Sequence, residues 1–456
     1  MAKELENIKL LNNKLAILIR IRGVVRISCW PSKPMTRVQI PAGPPFPCIL
    51  MASEKFYLLS SNYAAMPKFL NSKNSGIVIY IILLMLLTFS VRASNNLILT
   101  TIPLISKYDL NFNSVEIGIL AAVAVGSTGI MSALVNSRLC PGKRRKLFIS
   151  SIIIYMVLEP VFYFSNTFSI WLLVILSGFF FGSVMPNIIS SAGTIKDKRT
   201  RERTLTLYTL SLSASLVIGP LIESFILLYF NLYQLFLFFI PFGIIAIVLS
   251  FKIRFPEEIK DKTKKNLNVF KNPGFRLSVF NNISYDTPFA LILTFGGIFA
   301  RTEFNAPYSF VELLLAGFFG LSFLSRFILS YRPAKKLYIT TTVSIIITII
   351  GLILVYFSTS LILYFVIICL LGIPHGLTFP TSLTALSRSF NESEISVANT
   401  YFYALMMFLA VIVPSMAGLM VYSVGLRFTF LLFAIPVIIL FGLILREYKR
   451  IPEINN

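Results

Sequence analysis

The chain has 456 residues, of which 56% are hydrophobic and 13% are charged, and its mean hydropathy is +0.80. Soluble domains carry about 25% charged residues, so this composition excludes the two or three ordinary soluble domains that the length alone would suggest. The formal net charge of +22 would fit a nucleic-acid-binding protein, but the placement of that charge, described below, argues against this class.

Residues 1–75 precede the first long apolar run and differ from the rest of the chain. They are mixed in polarity, and they contain no apolar run of the length that crosses a membrane. Val38 to Pro45 reads Val-Gln-Ile-Pro-Ala-Gly-Pro-Pro. The nucleotide sequence GTTCAAATCC would encode the first three of these residues and begin the codon of the fourth, and it resembles the T arm of a transfer-RNA gene. We therefore expect a translation start assigned too early, with the true start at Met66. The alternative is a disordered cytoplasmic tail.

Twelve apolar runs follow, each of the length and composition of a transmembrane helix. They cover residues 76–106, 114–137, 147–165, 168–192, 204–229, 231–252, 277–300, 308–330, 337–357, 360–386, 396–422 and 428–446. Several exceed the ~20 residues that a bilayer requires, so tilt is expected. The sequence predicts an all-α membrane protein with two six-helix halves, 76–252 and 277–446, a cytoplasmic linker 253–276 and a tail 447–456.

The two halves repeat one another, because two glycines and two prolines recur 194 residues later with their spacing intact. The pairs are Gly178 and Gly372, Gly182 and Gly376, Pro186 and Pro380, and Pro220 and Pro414. The four prolines predict helix kinks, which neighbouring helices of a bundle tolerate. Six spans, a long loop and six more spans indicate a parallel repeat about an axis along the membrane normal.

Basic residues are concentrated on one side of the alternating spans. If the first span starts in the cytoplasm, the outward segments hold only Lys107, Arg301 and Arg427, and most other lysines and arginines lie on the cytoplasmic side. This positive-inside bias records orientation and not a nucleic-acid partner. It predicts a multi-pass protein of the cell membrane with both termini cytoplasmic.

Two basic loops occupy equivalent places in the two halves. Their residues are Arg138, Lys143, Arg144 and Arg145 after the second span, and Lys335 and Lys336 after the eighth. The fifth span also contains Ser215-x-x-x-Gly219-Pro220. In these features the chain, from about residue 75 onward, resembles the major facilitator superfamily, which has a basic Gly-x-x-x-Asp-Arg-x-Gly-Arg-Arg loop at this position and an antiporter signature that ends in Gly-x-x-x-Gly-Pro.

Two departures from the family pattern are visible. Ser137 stands where the family's loop has its aspartate, and the earlier glycines of the antiporter signature are absent, so export is not indicated. The resemblance implies two pseudo-symmetric six-helix halves and a central cavity lined by the first helix of each half. It also implies that the basic loops gate the cytoplasmic side by hydrogen-bonding to helix ends.

Ionisable groups within spans cost about 2.5–3.5 kcal/mol on insertion scales, so each one indicates a function. Arg92 lies in the first span, and Asp286 lies 194 residues later in the seventh. We expect Arg92 to hold an anionic substrate or a counter-ion and Asp286 to lose and regain a proton. The alternatives are a structural ion pair or snorkelling at the lipid interface.

Glu159 of the third span is the third candidate, as a carboxylate suited to proton exchange. The alternative is a position near the headgroups, and this applies more strongly to Glu223 of the fifth span. Glu303 and Glu312 flank the loop between the seventh and eighth spans, and we expect both to be solvated.

Four neutral polar residues are candidates for substrate binding. His375 would change charge at physiological pH, or it is a core histidine with a hydrogen-bond partner. Asn95, Asn96 and Tyr285 would supply hydrogen bonds to a substrate, or they join helices to one another.

The sequence motifs that would indicate other classes of protein are absent. The four cysteines show no CxxC or Cys/His spacing, and no Walker loop, HExxH helix or Asp-x-x-Asp cluster appears, so we expect no metal, no cofactor and no enzymatic activity. The sequence predicts a monomeric secondary transporter, a permease that moves a small organic solute across the lipid bilayer by alternating access, with proton coupling. The alternative is a non-transporting sensor or assembly factor on the same fold.

Overall fold

The computed structural model describes residues 75–192, 194–195, 197–255, 268–331 and 336–451. Within these ranges all regular elements are helices, and all described residues belong to one compact unit. The segment before Ser75, with the expected start at Met66, lies outside the described residues. Residues 256–267, which are half of the linker, Lys335 and the last five residues of the tail also lie outside the described residues.

Twelve helices of the described part are long and apolar enough to cross a membrane. We number them α1 (Gly76–Tyr108), α2 (Ser114–Arg138), α3 (Gly142–Phe164), α4 (Ser169–Ala192), α5 (Arg199–Ile226), α6 (Leu232–Ser250), α7 (Pro273–Phe304), α8 (Tyr308–Tyr331), α9 (Leu337–Tyr356), α10 (Leu361–Ser389), α11 (Val397–Val424) and α12 (Leu426–Arg450). The all-α fold with twelve spans is confirmed. Helix α7 begins four residues before the predicted run, because Pro273 occupies its first turn and Asn272 caps it.

Local capping fixes where several helices begin and end. At the start of α2 the Asn113 side chain accepts from the Glu116 N–H at 3.0 Å, and the Glu116 carboxylate accepts from the Asn113 N–H at 2.8 Å. This capping box satisfies two backbone donors that the first turn of a helix leaves unpaired. Asn305, in the left-handed conformation at φ 52°, ends α7, and α8 begins at Tyr308 after a very short loop.

The internal repeat is also visible in the positions at which two peripheral helices are interrupted. Helix α6 is interrupted at Phe239, and α12 is interrupted at Phe433. These two residues are again 194 apart. One difference separates the halves: α2 passes through a π-helical turn at Met131–Val135, whereas its counterpart α8 is α-helical throughout.

The repeated glycines allow equivalent helices to approach closely in both halves. A Cβ added to Gly178 of α4 would collide with the Ala124 carbonyl of α2, and one added to Gly372 of α10 would collide with the Phe318 carbonyl of α8. Ala124 and Phe318 are themselves 194 residues apart, so the contact is duplicated with its partner. The second pair of glycines is packed in the same way: Gly182 lies against the Thr128 carbonyl, and Gly376 lies against the Ser322 carbonyl.

The four repeated prolines lie inside α4, α5, α10 and α11, and each helix continues through its proline. Hydroxyl groups four residues later bond to two of these prolines: Ser190 donates to the Pro186 carbonyl and Thr384 donates to the Pro380 carbonyl, both at 2.8 Å. The prolines therefore do not end their helices, and the kinks expected there stay a prediction.

The halves meet along α1 and α7, α2 and α11, and α5 and α8. We call the face of the bundle where α1 begins and α12 ends the terminal face, and the opposite one the far face. Near the far face the Tyr108 hydroxyl bonds to Thr302 at 2.9 Å, and Gly118 abuts the backbone of Gly418. Among the described residues, α4 and α5 make no comparably extensive contact with α10 or α11. The halves are thus packed together at the far face.

Candidate functional site

Arg92 lies in the middle of α1 and is half-buried. Its Nη1 donates to Asn95 Oδ1 at 2.9 Å, and its charge acts on the buried Tyr155 of α3 and Tyr208 of α5. Its Nε has no hydrogen-bond partner, and it makes no ion pair with any described carboxylate. Asn95 thus orients the predicted arginine. The neighbouring Asn96 is buried, and its side-chain nitrogen has no partner within the described part of the chain.

Asp286 lies in α7 and is also half-buried. The Asn282 amide, one turn earlier, donates a hydrogen bond to its carboxylate. Asp286 and Arg92 do not form an ion pair, so the structure does not support the alternative of a structural ion pair between them. Each is held by an asparagine of its own helix, and both remain partly exposed.

Arg326 of α8 is a half-buried arginine that the sequence reasoning missed. Its Nη2 donates to the His375 carbonyl at 3.3 Å, and its Nε has no partner within the described residues. Its charge is close enough to Arg92 for the two guanidinium groups to act on one another. Each half therefore contributes one half-buried arginine, and the charges of the two act on one another. The insertion cost that indicated Arg92 was also the available signal for Arg326. Arg326, however, lies four residues before the end of its predicted run, 308–330, where a basic residue suggests a helix end.

His375 and Tyr285 connect the helices of the second half. His375 Nδ1 and the Ser322 hydroxyl are 2.7 Å apart, and the imidazole lies 4.4 Å from the Phe289 ring, centroid to centroid. The Tyr285 hydroxyl donates to the Leu371 carbonyl at 2.6 Å and is buried. These contacts join α7, α8 and α10. They favour the interpretation of both residues as structural.

Glu159 of α3 is fully buried, with no exposed surface. Its carboxylate acts on Tyr155, one turn earlier, and lies beside the Ser94 hydroxyl of α1. Neither of its oxygens has a well-aligned hydrogen-bond donor in the described part of the chain. Protein encloses Glu159, so a position among the headgroups is not what the structure shows.

The carboxylates near the far face differ from expectation in one respect. Glu303 pairs with Arg427 at 2.6 Å and remains partly exposed. Glu312, expected to be solvated, is fully buried, so that expectation is wrong. The loop before α8 is so short that Glu312 lies in the second turn of the helix, on the face that packs against α5. The same contact buries Glu223, which is therefore not a headgroup residue.

The basic loops lie at the terminal face. Arg144 donates to the Leu139 carbonyl at 2.9 Å, a contact within its own loop and not between the halves. The side chains of Arg138, Lys143, Arg145 and Lys336 are exposed. Nearby, Asp197 begins α5, and hydrogen bonds from the side chain and the N–H of Thr200 hold the pKa of its carboxyl below the usual range.

At the far face, Asp109 follows α1 directly. Partial burial raises the pKa of its carboxyl, and the Arg301 guanidinium partly opposes this. Within the described residues, no group of three or more His, Cys, Asp or Glu lies close enough together to hold a metal ion.

The six-plus-six arrangement and the duplicated contacts agree with a comparison of the sequence with family models. The model described as Major Facilitator Superfamily matches residues 84–330 and 280–455. The chain belongs to the major facilitator superfamily. Membership in this superfamily makes it a multi-pass membrane protein of a transporter family. No match was found among curated protein sequences.

Solved structures show the same superfamily fold. A bacterial homologue of the human lysosomal transporter Spinster, in an inward-facing and occupied conformation, aligns with a TM-score of 0.64 at 13% identity, covering 84% of this chain and 98% of that one. A mutant of the nucleoside transporter NupG aligns at 0.59 and 15%, covering 81% and 100%. A mutant of the peptide transporter POT in complex with sulfate aligns at 0.68 and 10%, covering 82% and 95%.

Proposed function

We propose that the chain is a secondary active transporter of small organic anions in the cell membrane, a proton-coupled permease that works by alternating access. One observation supports the substrate class: Arg92 of α1 and Arg326 of α8, one from each half, are half-buried with charges that act on one another, and neither pairs with a described carboxylate.

Two unpaired guanidinium groups inside a helical bundle are costly to maintain. Each donates here to one neutral acceptor, and each keeps its Nε without a partner. A carboxylate or phosphate bound between them would accept several charge-assisted hydrogen bonds, which arginine forms in a fork geometry. Because each half contributes one arginine, such an anion would connect the halves. A site between two repeats is what alternating access requires.

The orientation follows from the charge distribution. The terminal face carries the basic loops, so the positive-inside bias assigns it, with both chain termini, to the cytoplasm. A bundle packed at the far face is then the inward-facing state. In the outward-facing state the terminal face would close, and the exposed Arg138, Lys143, Arg145 and Lys336 would reach helix ends of the opposite half. Lys335, outside the described residues, belongs to the same predicted gate.

Proton coupling is assigned to the acidic residues of the central helices. Asp286 of α7 is half-buried, so it would exchange a proton with whichever side the space between the halves opens to. Glu159, enclosed between α1 and α3, is the second candidate. Protonation removes the negative charge of Asp286, which would otherwise repel a bound anion, so protonation would favour binding of the anion.

The test is anion binding and counterflow with purified protein in proteoliposomes. A thermal-shift screen of organic phosphates, carboxylates and matched neutral analogues should show stabilisation by anions alone. Arg92→Gln and Arg326→Gln should each abolish that stabilisation and the counterflow of the same anion. Arg199→Gln, which removes an exposed arginine at the start of α5, should change neither.

Two results would contradict the proposal. Stabilisation by neutral solutes that survives both arginine substitutions would remove the anion site. Anion binding without counterflow would instead favour the non-transporting sensor.

A further inference from the structure

A second buried group of charges lies away from the arginines, where α5 of one half packs against α8 of the other. Glu223 and Glu312 have no exposed surface. Their carboxyl groups are close enough to act on each other, and beside them the Ser224 hydroxyl of α5 donates to the Ser309 carbonyl of α8 at 2.7 Å. A third contact comes from α1, where the Thr100 hydroxyl donates to Glu223 Oε2 at 3.3 Å. No other donor within the described part of the chain reaches either carboxyl.

Two carboxylates are both acceptors, so a hydrogen bond between them requires a proton on one of the two. No cation among the described residues offsets the pair. The groups that act on it are Thr100 of α1 and Glu159 of α3, and the second of these is also acidic. The other helices packed against α5 and α8, which are α4, α7 and α10, contribute no charged group that acts on either glutamate. Two neighbouring carboxylates in an enclosed site repel one another, so ionisation of one opposes ionisation of the other.

The internal repeat shows that the fold does not need acids at this position. The counterpart of the contact between α5 and α8 is the contact between α2 and α11. There Gly118 stands in place of Glu312, and Ala417 stands in place of Glu223. That interface closes by direct approach of Gly118 to the Gly418 backbone. The duplicated bundle therefore closes its far face in one place with glycine and in the other with two carboxyl groups.

We infer that Glu223 and Glu312 share one proton and that this shared proton holds the two halves together at the far face. We call the two residues the latch. This inference rests on the proposed alternating access and adds a proton site distinct from Asp286. When the far face opens, α5 and α8 separate and water reaches both carboxyls. The shared O–H bond then breaks, the proton passes to a water molecule as hydronium, and two separated carboxylates remain. Closing the far face again requires a proton from that side.

The direction of the pH effect follows. The shared proton stabilises the closed far face, so low pH favours closure and high pH favours opening. The experiment measures the distance across the far face by pulsed electron paramagnetic resonance, with spin labels at Thr167→Cys and Thr359→Cys. Both residues are exposed in far-face loops, one in each half. The four native cysteines are replaced by alanine, and no substrate is added.

In the otherwise native protein, the label-to-label distance should lengthen between about pH 5 and about pH 9, a range over which coupled carboxyls titrate. The double variant Glu223→Gln and Glu312→Gln keeps a hydrogen bond without a titrating proton, so its distance should stay short throughout. Glu303→Gln, a far-face carboxylate outside the pair, should behave as the parent does. A distance that does not change with pH in the parent, or that changes equally in the double variant, would overturn the latch.

A second variant keeps the test valid if the glutamine pair folds poorly. Glu223→Ala with Glu312→Gly copies the residues of the contact between α2 and α11, and it should also remove the pH response; a retained response would overturn the latch. The failure of the proposed function gives a different result. If Arg92→Gln leaves binding and transport unchanged while the pH response of the distance persists, the anion site fails and the latch stands.

Discussion

Arg92 and Asp286 occupy equivalent positions in the first helices of the two halves, yet they work in different surroundings. An asparagine of the same helix holds each side chain: Asn95 accepts from Arg92, and Asn282 donates to Asp286. Neither asparagine neutralises the charge it contacts, so each ionisable group keeps its capacity to bind a charged ligand or a proton. The charges of the two halves thus differ where their backbones repeat.

Under the proposed function, substitution of Asp286 should separate anion binding from proton coupling. Asp286→Asn should abolish gradient-driven accumulation of the anion in proteoliposomes, because an amide cannot carry a proton. Exchange of anion across the membrane without a gradient should persist, since the arginines remain. Thermal unfolding of the purified variant is the control for folding. Accumulation at the parental level would remove Asp286 from the mechanism.

Among the helices, the repeated glycine contacts hold α2 to α4 and α8 to α10 at backbone distance. The same residue type is required in both halves, because in each the neighbour is a carbonyl oxygen that cannot rotate away. Such contacts are characteristic of packing between membrane helices, where small residues allow close approach.

Gly372→Ala tests the close packing of α10 against α8. The added methyl group would collide with the Phe318 carbonyl, so α10 must shift from α8, and overpacking of this kind costs about 1–3 kcal/mol. Gly178→Ala should cost a similar amount, since its contact is the repeat of the first. Gly320→Ala, on α8 with open space around the added Cβ, is the matched control and should leave the unfolding temperature unchanged. Equal stability of all three variants would contradict the duplicated contact.

Features that depend on local sequence could be predicted, whereas features that depend on how the helices pack could not. The apolar runs and the 194-residue repeat predicted the spans and both halves, because span length and glycine spacing are local properties. The burial of Glu312 was not predictable from its position near a loop. It depends on which face of α8 meets α5, and a uniformly apolar helix carries no such signal. Arg326 was missed for the related reason that its depth depends on helix tilt and not on the order of residues.

At the scale of the whole molecule, the charge distribution and the closed face together indicate which side of the membrane the bundle opens to. The basic loops are collected at the terminal face, and the cross-half contacts are collected near the far face. Inward-facing is therefore the state we assign to this arrangement, and under the proposed function an anion would enter or leave the arginine site through the terminal face in this state.

Accessibility labelling tests that orientation in intact cells. A membrane-impermeant maleimide added outside should label Thr167→Cys, in the far-face loop between α3 and α4. It should not label Lys146→Cys, near the start of α3 at the terminal face, until the cells are opened. Both positions are exposed, and a cysteine-free parent is the control. The reverse pattern of labelling would place the termini outside and would contradict the assignment.

The contact between Gly118 and Gly418 has a consequence for motion. Two backbones in direct contact, with no side chain between them, present the same surface to each other after a small rotation. No rotamer has to change and no polar group loses a partner. The line of contact between α2 and α11 can therefore act as an axis about which one half turns against the other. The largest displacement during such a turn falls on the opposite side of the bundle.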